Sequence, residues 1–170
     1  MPQIEANGLK LEYDENGAKD APPILLIHGL GAQMTLWPDE LIDALVARGF
    51  RVIRFDNRDI GLSTEFTNEV PPAPGDIIRG LSEGKDMSKE VPYILDDMAA
   101  DAAALITALG ADKADVMGNS MGGMIVQRLA IGHPERLKSL TSVMSTTGSP
   151  KIPAAAPHVM AKLLEPPPRD

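Results

Sequence analysis

The stretch Ile24-Leu25-Leu26-Ile27 constrains this chain more than any other. It is apolar without alternation, so as a strand it must be covered on both faces, as in a parallel sheet flanked by helices. Pro22-Pro23 lead into it and His28-Gly29-Leu30-Gly31 lead out. From about Pro38 to Arg48 the pattern becomes helical, with Leu41, Ile42, Leu45 and Val46 on one stripe and Gly49 placed to end the helix. Arg51-Val52-Ile53-Arg54-Phe55 then reads as a second strand closing on Asp56. Strand, helix and strand in alternation are the mark of βαβ units, so the class is α/β: a mostly parallel sheet with helices on both faces.

The flanks fill in the rest. Gly8 to Tyr13 alternates apolar and polar residues, which predicts a half-exposed strand at an antiparallel edge, and Asp14-Glu15-Asn16-Gly17 predicts a turn. Between Glu65 and Pro92 stand Pro71, Pro72, Pro74, Gly75, Gly80 and Gly84, which predict a surface excursion with one short helix near Ile77 to Leu81. Asp96 is placed to N-cap a helix to Leu109, with Gly110 as its stop. Asp115 to Met117 is the tail of a strand, a helix follows to about Gly132, and Ser139 to Met144 is a final strand. From 149 onward Pro and Ala dominate. The expected organisation is a core over 1–148 and a Pro-rich tail over 149–170, with a short helix near His158 to Leu164.

A chain of 170 residues supports one domain. Its net charge of −8 argues against nucleic acid or an anionic membrane as partner. Without cysteine there is no disulfide framework, thiol catalysis or cysteine-ligated metal. No apolar run approaches the ~20 residues of a membrane span, and the N-terminus lacks a signal-peptide pattern, so a cytoplasmic location is expected. With no metal cluster or phosphate loop in view, no metal or cofactor is expected.

Gly118-Asn119-Ser120-Met121-Gly122 fits the G-x-S-x-G nucleophile elbow, in which a serine is raised on a tight strand-to-helix turn. The turn strains the serine backbone and requires small neighbours two positions away. Ser120 also stands at a helix N-terminus, where free N–H groups favour developing negative charge. An oxyanion hole combines the N–H after the nucleophile with one from an earlier strand-end loop. Met121 and Leu30 are the candidates, supported by His28, Gly29 and Gly31. Each such donor contributes roughly 2.7–4 kcal/mol to transition-state stabilisation. Met34 and Trp37, with Met121, are expected to line an apolar mouth suited to a hydrophobic ester.

These motifs, with Trp37, Asp56-Asn57-Arg58-Asp59-Ile60-Gly61-Leu62-Ser63 and the stretch His133 to Leu140, resemble the α/β-hydrolase family in its esterase and cofactor-free haloperoxidase-like branch. The resemblance runs from about Gly8 to Gly148 and corresponds to the N-terminal part of that fold, without its last strands. It implies ester or other acyl hydrolysis, since epoxide hydrolases and dehalogenases place Asp at the elbow. It also implies that Asp56, Arg58 and Ser63 form a structural hydrogen-bonded turn.

The family orders its triad as serine, acid, histidine. Here His28 precedes the nucleophile, and His133 stands roughly 18 Å along the elbow helix at 1.5 Å per residue. His158 lies in the tail, and the acids after Ser120 are Glu135, Glu165 and Asp170, none at a strand end. The expectation is therefore an impaired or incomplete serine esterase. The chain would be an N-terminal fragment completed elsewhere, or a truncated form that self-associates through strand 139–144. Two alternatives compete. A dinucleotide-binding domain would need a small residue where Met34 stands. A non-catalytic scaffold on a degenerate hydrolase fold needs no base at all.

Overall fold

The computed structural model describes residues 1–67, 70, 72–149, 151–153, 156, 158, 159 and 162. The helix expected near His158 to Leu164 lies largely outside them, as do Glu165 and Asp170. Among the described residues six strands form one sheet: β1 (Gln3–Ala6), β2 (Leu9–Asn16), β3 (Pro23–Ile27), β4 (Arg51–Phe55), β5 (Ala114–Asn119) and β6 (Leu137–Val143). Their order is β1-β2-β4-β3-β5-β6; β2 runs antiparallel to both its neighbours, β1 and β4, while β4, β3, β5 and β6 are mutually parallel. The helices are α1 (Asp39–Ala47), α2 (Pro74–Ser82), α3 (Leu95–Ala108) and α4 (Met121–Gly132). Among the described residues no helix is long and apolar enough to cross a membrane.

The central run behaves as its composition requires. Leu25 and Ile27 pack with Ile53 and Phe55 against α3 and α4, through Ala102, Leu105, Ile125 and Leu129. Ile24 and Leu26, pointing the other way, pack with Val52, Trp37 and Ile42 of the α1 side. Period-two pleating thus divides one apolar run between two cores. Full burial of each large side chain contributes about 1.5–3 kcal/mol.

Several local expectations are corrected. The outer antiparallel edge is β1, not the strand after Gly8. Asn7 and Gly8 take positive φ, 51° and 74°, as a tight hairpin turn demands. Asp14 to Asn16 remain in β2 instead of turning, because Asp14 pairs with Arg54 at 2.9 Å and Glu15 with Arg51 on the neighbouring β4. Helix α3 is capped two residues earlier than expected: Asp97 Oδ2 accepts the Ile94 N–H at 2.8 Å, while Asp96 is spent on Arg128. Gly110, at φ 78°, does follow the helix end. The 65–92 excursion carries α2, somewhat longer than the helix expected at 77–81.

On the far side, β6 pairs with β5 alone among the described residues, and residues 138 to 142 are all exposed. Its outer edge meets solvent, and α4 lies against one end of it, where a Cβ on Gly123 would stand 2.7 Å from Ser142 Oγ.

Candidate active site

Strand β5 and helix α4 join at Ser120 without an intervening loop, and the join fixes the backbone. Ser120 has φ 51° and ψ −122°, a region that a non-glycine residue adopts only when its surroundings enforce it. Here its N–H donates to the Val143 carbonyl at 3.0 Å and its own carbonyl accepts from Gly123 N–H at 3.0 Å. The two flanking glycines are sterically required: a Cβ on Gly118 would collide with the Gly122 carbonyl, and one on Gly122 with the Ile27 carbonyl. The serine itself is exposed.

The β3 exit comes up against this elbow. A Cβ on Gly29 would stand 3.0 Å from Ser120 Cβ and 3.4 Å from its Oγ, so the first residues after His28 back the nucleophile directly. Leu30, next in line, has an 81% exposed side chain, and its N–H donates to no backbone carbonyl among the described residues. Met121 is the first residue of α4, so its N–H has no partner within the helix. Gly31 takes φ 69°, a turn conformation that favours glycine. The structure therefore brings Ser120, Gly29, Leu30 and Met121 to one place.

Met34 and Trp37 are placed differently from expectation. They are 1% and 5% exposed, because a short 3₁₀ turn over Met34–Leu36 curls the chain back onto the sheet. Trp37 joins the α1-side core and its ring lies 4.7 Å from the His28 imidazole. Neither forms an open mouth, whereas Leu30 and Leu36 stay exposed. Burial pushes the His28 pKa below 6.5, against the opposing effects of the Leu36 carbonyl and the Asp56 carboxylate.

The Asp56 turn is half as expected. Ser63 Oγ donates to the Asp56 carbonyl at 2.6 Å and accepts the Glu12 N–H at 3.0 Å. Asp56 Oδ1 accepts the Met34 N–H at 2.6 Å, and burial raises its pKa despite that bond. Arg58, however, leaves the turn. It makes a bidentate pair with Asp101 of α3, both contacts at 2.7 Å, with 6% and 2% of the two side chains exposed. Its guanidinium also lies over Phe66 and Tyr93, 5.3 and 5.0 Å from the ring centroids. Asn7 donates to the same Asp101 carboxylate at 2.7 Å. Tyr93 is pushed up to about 12, first by burial and then by its contact with Asp59. Sequence reasoning missed Asp101. Its signal was a carboxylate on the apolar stripe of α3, between Met98 and Leu105.

Among the described residues the acid and the histidine of a triad do not come to Ser120. His133 caps the opposite end of α4 and faces Glu135, with Nδ1 3.8 Å from Oε1. His158 is exposed in the tail.

Comparison with known proteins agrees with this geometry. A family model described as alpha/beta hydrolase fold matches residues 22–165. Rhodomycin D methylesterase DauP of Streptomyces sp. (strain C5) is 35% identical over 122 residues, which make up 72% of this chain and 34% of the methylesterase. The enol-lactonase from Burkholderia xenovorans LB400 superposes with a TM-score of 0.63 at 28% identity, over 82% of this chain and 45% of the lactonase. Epoxide hydrolase A from Mycobacterium thermoresistibile gives 0.64 at 27% identity, over 83% and 37%. The chain thus spans less than half the length of these proteins. A strained, exposed serine between a parallel strand and a helix, on a sheet of this order and with this family match, places the chain in the α/β-hydrolase fold family.

Proposed function

We propose that Ser120 is the nucleophile of a serine esterase that hydrolyses a carboxylic ester through an acyl-Ser120 intermediate. The observation that carries this reading is the Ser120 backbone at φ 51° and ψ −122°, exposed at the head of α4 and backed by Gly29. In the first step Ser120 Oγ bonds to the ester carbonyl carbon, its proton passes to a base, and the carbonyl oxygen becomes an oxyanion facing the Leu30 and Met121 N–H groups. Collapse expels the alcohol, and water then releases the acid and restores the serine. The methylesterase and the enol-lactonase among the related proteins both name ester bonds, which supports an ester over an epoxide. A serine at the elbow supports it too, since the family resemblance implies an aspartate at that position in epoxide hydrolases. The exposed Leu30 and Leu36 favour a hydrophobic acyl or alcohol group.

Without a base, the oxyanion donors and binding alone support roughly 10³–10⁴-fold catalysis over water. The isolated chain should therefore hydrolyse an activated ester such as p-nitrophenyl butyrate slowly but above buffer, and mass spectrometry of protein quenched during turnover should find a butyryl group on Ser120. Turnover with no acyl group on Ser120 would refute the assignment.

A second element of the proposal concerns the acid and histidine that do not come to Ser120 among the described residues. They are supplied by polypeptide that adds alongside β6, whose exposed residues 138–142 leave a parallel edge unpaired among the described residues. The competing role for the same edge is self-association of a non-catalytic scaffold. Sedimentation distinguishes them: concentration-dependent dimers without any gain in ester turnover would favour the scaffold.

A further inference from the structure

Two adjacent residues at the exit of β4 grip the two ends of the β3 exit loop. Asn57 Nδ2–H donates to the His28 carbonyl at 3.3 Å, and Asp56 Oδ1 accepts the Met34 N–H at 2.6 Å. Gly29, Leu30 and Gly31 lie between these anchors, and among the described residues their own order is slight: a turn bond from Ala32 N–H to the Gly29 carbonyl at 3.3 Å, and one from Gly29 N–H to the adjacent His28 Nδ1 at 3.1 Å. Two glycines in three residues and a Leu30 side chain that is 81% exposed give such a loop little packing of its own. Its shape must come from outside.

The grip itself is rigidly mounted. Asp56 and Asn57 are 2% and 3% exposed. The Asp56 N–H donates to the Glu12 carbonyl at 3.0 Å, and the Asp56 carbonyl accepts Ser63 Oγ at 2.6 Å. The following residue, Arg58, is locked to Asp101 by the buried bidentate pair. From the opposite side the His28 carbonyl is hemmed in by α4, since a Cβ on Gly122 would stand 2.8 Å from it. The His28 peptide is therefore held between the Asn57 amide and the first turn of the elbow helix.

We infer that Asp56 and Asn57 are positioning residues that set the Leu30 N–H toward Ser120, with the Arg58–Asp101 pair as their footing on α3. This rests on the reading of Ser120 as an acyl nucleophile and adds how its second oxyanion donor is fixed. The device matters because a donor misplaced by about 1 Å can cost on the order of 100-fold in rate.

The test combines a dynamic and a chemical readout on the whole chain. Backbone ¹⁵N relaxation should give Leu30 and Gly31 order parameters near the rigid value of ~0.85, falling below about 0.6 in Asn57→Ala. Amides of Val116 and Met117 in β5 should stay unchanged. Asn57→Leu keeps the buried volume but removes the donor, so it should loosen the same residues. If leucine restores order, the role is packing and the inference fails. In both variants, labelling of Ser120 by a fluorophosphonate should slow by about 10- to 100-fold. The wild-type measurement stands by itself: a mobile Leu30 in the native chain ends the inference whether or not the variants fold. Wild-type protein that never labels at Ser120, while Leu30 still loosens in the variants, would overturn the nucleophile reading and leave the grip intact.

Discussion

The two flanks of the sheet solve opposite problems. On the β4 side, charged and polar groups are buried and each is committed to a partner: Arg58 to Asp101, Asp56 to Met34, Asn57 to His28. On the β6 side, serine, threonine and lysine lie open along a strand with one neighbour among the described residues. Buried ion pairs add little net stability when intact, but breaking one is costly because a lone charge is stranded in a low-dielectric interior. Exposed strand positions carry almost no such penalty. The flank with the buried charges therefore defines geometry, while the open flank is free to accept other polypeptide. Between them stands Ser120, tied to β6 through its N–H bond to Val143 and to the β3 exit through Gly29.

The sharpest way to break this comparison is to remove one buried charge. Asp101→Ala leaves the Arg58 guanidinium unpaired among Phe66 and Tyr93 and should cost about 3–5 kcal/mol of folding stability. Chemical denaturation measures it, and a loss below ~1 kcal/mol would mean that the pair is not mounting the loop.

A smaller effect should come from pH, and it reads the middle of the molecule. His28 is held below 6.5 when folded, so the unfolded chain takes up its proton first. Its contribution to stability is complete above 6.5 and is lost as pH falls through the lowered folded value. Trp37 is the sole tryptophan and its ring lies 4.7 Å from this imidazole, so protonation should quench its fluorescence with a midpoint below 6.5. The transition should vanish in His28→Gln. A midpoint at or above 6.5 would show that His28 is not buried as described.

The smallest effect belongs to the open flank. Thr141→Ala on β6 should change stability by no more than about 0.5 kcal/mol, as substitutions at exposed positions usually do. A loss well beyond that would mean that the edge is already covered by a second molecule.

Much of this architecture was legible because periodicity reports burial. The Ile24 to Ile27 run specified a strand with two covered faces, and its alternate residues do divide between two cores. The elbow was legible for a steric reason, since few residues other than glycine fit at 118 and 122. Other features were present locally but went unread, as with Asn7-Gly8, a strong hairpin signal that makes β1 possible. What could not be read was partnership at a distance. Arg58 sits 43 positions from Asp101, and nothing near Arg58 in the chain reveals that it turns away from Asp56. Nor does residue type say which way a side chain faces, which is why Met34 and Trp37 are core residues where an apolar mouth was expected.

The most direct test of the central claim is to phosphonylate Ser120 to completion and follow the backbone ¹H–¹⁵N signals. A phosphonyl oxygen seated among donors as an oxyanion would be should shift the Leu30 and Met121 amides more than any others outside the elbow turn. Adduct formation on another residue, or a Ser120 adduct that leaves the Leu30 amide unmoved, would contradict the account.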